Sequence, residues 1–284
     1  MDVKQLEFEL FRYQLLPVTQ HAQADMFHKI RSSEDIRKNK NRFFFEVISE
    51  LPKLYHRSIQ LNQKIIVNSS PWLAFKLAAH KTLEREKEFK KERIENWPHV
   101  TVIINNEPDV QIIAVSKNSK AFSSGLVVAK LIKESLASHL LRYQLSMHVE
   151  AIFDRSEFWS IVEKYEGKIS NVKFELISPN MANISKSLKL DLAQVNRDTN
   201  SHRTVLLLNS PEGAKLEIEK GNEMLESLVN YSADGGGDIS FRIGGLRKRV
   251  HTSKSTRTLD TDELSVENLT VEQLEAFVAY LMKV

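Results

Sequence analysis

The chain contains no cysteine. That excludes disulfides, thiolate zinc centres and cysteine nucleophiles, and it fits a reducing compartment, so the expected location is the cytoplasm. Glycine and proline number only nine and seven in 284 residues, too few for a long flexible linker. No run of about 18 apolar residues occurs, so no membrane insertion is expected. The first residues, Met1-Asp2-Val3-Lys4-Gln5-Leu6-Glu7, lack the apolar segment of a secretory signal. Neither charge sign is in large excess. The formal net charge is +3, so any site for a polyanion has to be local. Also missing are Gly-x-Ser-x-Gly, His-Glu-x-x-His and the dinucleotide fingerprint, and no metal or cofactor is expected.

One stretch lacks charge of one sign. Between Asp238 and Asp260 there is no acidic residue, while Arg242, Arg247, Lys248, Arg249, Lys254 and Arg257 all stand there. Ile239, Phe241 and Ile243 alternate with Asp238, Ser240 and Arg242, the pattern of a half-buried strand. Gly244-Gly245 signals a two-residue hairpin of type I′, which needs positive φ at both central residues. The return strand, Leu246 to Thr252, then places Arg247, Arg249 and His251 on one face. A rigid ribbon with unpaired positive charge is a seat for phosphates. The competing reading is an edge strand that uses Lys and Arg to block aggregation.

The remaining chain predicts an α+β fold of two α/β-layered subdomains, residues 1–145 and 146–284, with mostly antiparallel sheets and helices on one side. The first strand runs from Leu6 to Leu16 and stops at Pro17. Residues 20–40 read as helix or loop. Phe43 to Ile48 is too short to assign. Val100–Ile104 and Val110–Val115 are strands around the turn Asn105-Asn106-Glu107-Pro108-Asp109. The run from Glu84 to Glu95 has ten charged residues in twelve and reads as a solvated helix face or lid. Gly125 to Leu145 is a long amphipathic helix. In the second half, His148–Phe153 is a strand and Asp154-Arg155-Ser156-Glu157 caps a helix. Val172–Leu176 is the return strand. A helix from Ser178, the strand Thr204–Leu208 and a helix Gly221–Tyr231 lead to the basic hairpin, a ferredoxin-like variant. A terminal helix with Leu274, Phe277, Val278 and Leu281 on one face needs a partner, either the core or a second chain. A further basic cluster, Arg31, Arg37, Lys38, Lys40 and Arg42, either extends a DNA-facing surface or is a solvated loop.

Three other motifs carry possible chemistry. His99-Val100-Thr101 and His202-Arg203-Thr204 both lead into apolar strands and resemble the two-histidine phosphoesterases. The resemblance implies acid–base work by His99 and His202 on a phosphodiester, with Thr101 and Thr204 holding phosphate oxygens; it requires the two histidines to converge. A third triplet, His80-Lys81-Thr82, shows how easily the motif arises. Pro108-Asp109 with Lys117 matches part of a metal-dependent nuclease signature, but Val115 stands where the second carboxylate is needed. Asp234-Gly235-Gly236-Gly237-Asp238 lacks the Lys-Ser/Thr of a phosphate loop and precedes a strand, so it reads as a structural turn.

Met147-His148-Val149-Glu150-Ala151-Ile152-Phe153, Ile177-Ser178-Pro179-Asn180-Met181 and the glycine-rich segment before the hairpin together resemble the phage-exclusion family typified by RexA and bacterial proteins of prophage or defence-island type. The likeness is one of architecture over about the last 150 residues. It implies a non-enzymatic DNA-binding sensor acting with a separate effector. The expected function is therefore nucleic-acid binding, to double-stranded DNA or another polyanion, with Arg247, Arg249, His251, Lys254 and Arg257 holding phosphates and Lys248 and Arg242 adding field. A protein-effector docking module is the third reading.

Overall fold

The computed structural model describes residues 5–19, 33–87, 89–179 and 191–262. Its architecture is α+β, as the sequence predicts. The larger sheet has seven strands. Six of them run in the order β10, β1, β9, β8, β5, β4, all antiparallel. They are β1 (Gln5–Pro17), β4 (Asn62–Ser69), β5 (Trp72–Ala78), β8 (His99–Asn105), β9 (Ile112–Ser116) and β10 (Leu145–Ala151). The seventh, β15 (Thr258–Asp262), pairs with the first half of β1, while β10 pairs with the second half. Alternation along β1 sends Phe11, Tyr13 and Leu15 to one face, where α1 (Ser33–Ser49) and α2 (Gly125–Leu141) cover them. The unassigned Phe43–Ile48 segment is the apolar side of α1: Phe43, Phe44, Val47 and Ile48 are all buried. Each large side chain buried this way contributes about 1.5–3 kcal/mol.

The smaller sheet has the order β12, β11, β13, β14, built from β11 (Ile169–Ile177), β12 (Arg203–Asn209), β13 (Gly237–Ile243) and β14 (Val250–His251). Phe174, Phe241 and Ile239 face α3 (Arg155–Lys164) and α5 (Glu223–Tyr231) in a second core with Phe158, Ile161 and Leu228. Each edge strand lies beside the strand that precedes it in the chain. The predicted cap holds: Asp154 accepts from the Ser156 amide at 2.8 Å and starts α3. A further helix, α4 (Leu192–Thr199), ends in left-handed Asn200. The helix expected from Ser178 falls mostly outside the described residues, as does the predicted terminal helix.

Four expectations are corrected. The boundary at residue 145 falls at the start of β10, yet β10 completes the larger sheet, and the chain returns to that sheet again as β15. The smaller unit is therefore 152–257, inserted between two strands that share one edge of β1.

The charged run is not a helix. It forms a two-stranded ribbon, β6 (Lys81–Lys87) and β7 (Lys90–Asn96), with Phe89 at its tip fully exposed. Opposite charges meet across the strands, Arg85 with Glu92 at 2.9 Å and Arg93 with Glu84 at 3.1 Å, and Leu83 faces Ile94. Such cross-strand pairs do for a sheet what i,i+4 pairs do for a helix. A short ribbon, β2 (Tyr55–His56) with β3 (Ile59–Gln60), precedes β4.

The basic cluster after residue 30 is not an open cationic surface. Lys38 pairs with Glu34 and Arg42 with Glu46 one turn away. Lys40 is buried, and burial brings its ammonium down to about 8 against the favourable pull of Asp109. Arg31 lies outside the described residues.

The hairpin turn, finally, is wider than predicted. Of the two glycines only Gly245 has positive φ, and β13 pairs with β14 only at Ser240 and Phe241, so residues 244–249 form a loop and the return strand has two residues.

Candidate nucleic-acid interface

Arg242 leaves β13 pointing to solvent, and its guanidinium donates to the Arg247 carbonyl at 3.0 Å, closing the loop on itself. Gly244 donates to the Lys168 carbonyl at 2.8 Å, and Ser170 Oγ donates to the Arg242 carbonyl at 3.3 Å, so the loop is fastened to the start of β11. Arg247 and Lys248 are exposed at its crest. Arg249 turns back over the sheet. Its Nε donates to Ser240 Oγ at 2.9 Å, and its Nη2 donates to the Ser240 carbonyl at 2.9 Å and to Asn171 Oδ1. Asn171 in turn donates to Asn209 at 2.6 Å. Desolvation lowers the Arg249 pKa and the nearby charge of Arg242 lowers it further, against the opposing pull of the Glu175 carboxylate.

These residues border an open polar depression of about 580 Å³, lined by Arg242, Arg249, Asn171, Asn209, Lys215 and Glu212 among others. With the exposed Lys168 next to Gly244, six cations gather at this end of the smaller sheet: Lys168, Lys215, Arg242, Arg247, Lys248 and Arg249. Among the described residues, no carboxylate lies within ion-pair distance of any of them.

The other predicted phosphate ligands are elsewhere. His251 points across the sheet to Asp238, Nδ1 to Oδ2 at 2.7 Å, and is occupied by that contact. Lys254 and Arg257 stand beyond the opposite end of β13. Arg257 bonds through its backbone to Ile152 and Leu10, and its charge helps hold the Asp154 carboxyl below its ordinary pKa, after the Ser156 hydrogen bonds. The seven-residue set therefore divides. Arg242, Arg247, Lys248 and Arg249 converge; His251, Lys254 and Arg257 do not. Lys168, Lys215, Asn171 and Asn209 escaped the sequence reading because they join the site only through strand pairing and the loop after β12.

The paired His-x-Thr motifs do not meet. His99 starts β8, where Asn118 donates to its carbonyl at 2.8 Å and the Thr101 amide donates to Ser116 Oγ at 2.7 Å. Ser116 faces Phe8 near the start of β1. His202 is anchored at the far end, its Nε2 donating to the Pro17 carbonyl at 2.8 Å. From Phe8 to Pro17 is roughly 30 Å of extended strand. His202 meets His148 instead, Nδ1 to Nε2 at 3.3 Å, with Ser146 Oγ 3.1 Å from His202 Nδ1. The bond to Pro17 requires a hydrogen on His202 Nε2, which leaves Nδ1 of a neutral ring as acceptor.

That contact belongs to a polar seam between the two sheets. Arg12, Gln14, Ser146, His148 and Glu150 face out of the larger sheet; His202, Arg203, Asp234 and Gly235 cover them. Arg12 is buried, donating to the Val110 carbonyl at 2.8 Å and to the Asp234 carbonyl at 2.5 Å. Gly235 sits against it at φ +82, and a Cβ there would collide with Arg12 Cβ. The glycine run is thus a structural turn, as read from its sequence. Arg203 bridges Glu150 at 3.2 Å and Glu175 at 3.7 Å. Burial pushes the Glu150 carboxyl up to about 7, with Asp238 adding to the rise and Arg203, Lys130 and Lys133 opposing it. Burial, His202, Lys133 and Arg203 bring His148 down to about 4.

Among the described residues, no group of three or more His, Asp or Glu is placed to hold a metal, and no helix is long and apolar enough to cross a membrane. Comparison of the chain with protein families, with curated proteins and with solved structures finds no match.

Proposed function

We propose that this protein binds nucleic acid, double-stranded DNA foremost, through the loop end of the smaller sheet and without catalysing a reaction. The observation that carries the reading is the gathering of Lys168, Lys215, Arg242, Arg247, Lys248 and Arg249 with no carboxylate paired to them among the described residues. Neutralising phosphates by such a patch releases counterions, and this supplies most of the sequence-independent affinity. A duplex fits better than a single strand. Single-strand binding relies on exposed aromatic platforms, and Phe174 and Phe241 of this sheet are buried in its core. The role as sensor or accessory subunit in phage defence rests on the sequence resemblance of segments 147–153 and 177–181 and the glycine-rich run.

The test is an anisotropy titration of labelled duplex DNA at rising salt. The affinity falls with a log–log slope of about −0.9 per phosphate contacted. Arg247→Glu with Lys248→Glu lowers the affinity at least about ten-fold while leaving the circular dichroism spectrum unchanged. Wild-type affinity in that double variant would sink the proposal.

A further inference from the structure

We infer that the depression between Arg242 and Arg249 seats a phosphomonoester, the terminal phosphate of a nucleic-acid strand or a free mononucleotide. The inference deepens the nucleic-acid reading and rests on it for the strand as the source of the phosphate. It starts from the way the two guanidiniums are fixed. Arg249 is held by Ser240 and Asn171 through Nε and Nη2, which leaves the Nη1 hydrogens uncommitted. Arg242 spends one nitrogen on the Arg247 carbonyl. Both line the same depression, and the field of Arg242 is felt at Arg249. Two like charges held together by hydrogen bonds to neutral groups are stabilised by an anion between them. Guanidinium groups offer that anion paired donors in a planar fork.

The charge count selects the anion. Arg242, Arg249 and Lys215 line the depression against the one carboxylate of Glu212, leaving two positive charges. A phosphomonoester carries a charge near −2 at neutral pH and a diester only −1. The depression is also larger than a bare ion needs: its volume of about 580 Å³ lies in the range of small-molecule sites, roughly 300–1,000 Å³. Asn209, with its amide donor uncommitted, and Ser210 border it on the β12 side, where the sugar or base of the terminal nucleotide would lie. Arg247 and Lys248, on the crest of the same loop, then follow the backbone away from the end.

The experiment uses the full chain and two short DNA duplexes, identical and internally labelled, one with 5′-phosphates and one with 5′-hydroxyls. The phosphorylated duplex binds about ten-fold tighter, the equivalent of one added charge-assisted hydrogen bond, at about 1.4 kcal/mol per decade. Arg242→Gln and Lys215→Gln each shrink that difference. Lys215 makes no hydrogen bond or ion pair among the described residues, so its variant keeps the loop intact if Arg242→Gln disturbs it. Adenosine monophosphate competes with the phosphorylated duplex and lowers its affinity to that of the hydroxyl form. Equal affinity of wild-type protein for the two duplexes overturns the seat and leaves the proposed function standing. Binding of adenosine monophosphate with neither duplex bound keeps the seat and assigns it to a free nucleotide, at the expense of the nucleic-acid reading. Binding of none of the three overturns both.

Discussion

Arg12 and Arg247 lie in one molecule and are treated in opposite ways. At the seam between the sheets, Arg12 is buried and its hydrogens go to the carbonyls of Val110 and Asp234. Close by, Arg203 spans Glu150 and Glu175, and His148 meets His202. At the free end of the smaller sheet, Arg247 and Lys248 are exposed, with no carboxylate among the described residues to meet them. A buried charge without partners is too costly to keep, so the charged groups of the seam are ion-paired or hydrogen-bonded. An exposed charge costs little and contributes little to folding, so the loop end is free to serve binding. Position, more than residue type, separates the cations that hold this fold together from those available to a partner.

The sharpest way to break that contrast is Arg12→Met. Two buried carbonyls lose their donor, and stability falls by about 2–4 kcal/mol in urea or thermal denaturation, with DNA affinity of the folded fraction unchanged. Gly235→Ala attacks the same seam from the other side. A β-carbon meets Arg12 at a left-handed backbone position, and the expected loss is about 1–3 kcal/mol. The reverse pattern belongs to the loop: Arg247→Glu with Lys248→Glu lowers duplex affinity at least about ten-fold, some 1.4 kcal/mol, and moves stability by less than about 0.5 kcal/mol.

A gentler probe is pH. The Glu150 carboxyl, pushed up to about 7, keeps its proton in the folded chain where the unfolded chain has lost it. Its contribution to stability therefore falls as pH rises from about 4.5 to about 7. His148, lowered to about 4, stays neutral where the unfolded chain is protonated, so its contribution rises with pH from about 4 to about 6.5. The two slopes oppose each other, and wild-type stability changes little between about pH 4.5 and 6.5. Replacing His148 by Gln leaves the falling slope; replacing Glu150 by Gln leaves the rising one. Chemical denaturation at a series of pH values reads both. The smallest effect is at the charged ribbon, where Phe89→Ser at the solvated tip changes stability by less than about 0.5 kcal/mol.

Much of this architecture is written locally. Alternation gives β1 and β13, periodicity gives α2, and Asp154 announces α3. What escaped depends on contacts between distant segments. The alternating Ser146, His148 and Glu150 look like the wet side of β10, and only the inserted unit makes that side an interior. Glu84, Arg85, Glu92 and Arg93 are equally consistent with a helix or a ribbon until the strands pair. The loop end was half legible: the run free of acidic residues marks Arg242 to Arg249. Nothing in the run says that His251 is committed to Asp238, that Arg257 lies at the other end of β13, or that Lys168 and Lys215 join from outside it.

The arrangement of β10 and β15, end to end on the same side of β1, has a mechanical consequence. Residues 152–257 form a detour that starts and finishes on a single beam. A nick anywhere along the detour would leave both halves of the chain gripped by that beam. Equally, a load applied at the basic crest would be shared between the two stretches where the detour is tied down, so the inserted unit would transmit it to the larger sheet instead of swinging free of it.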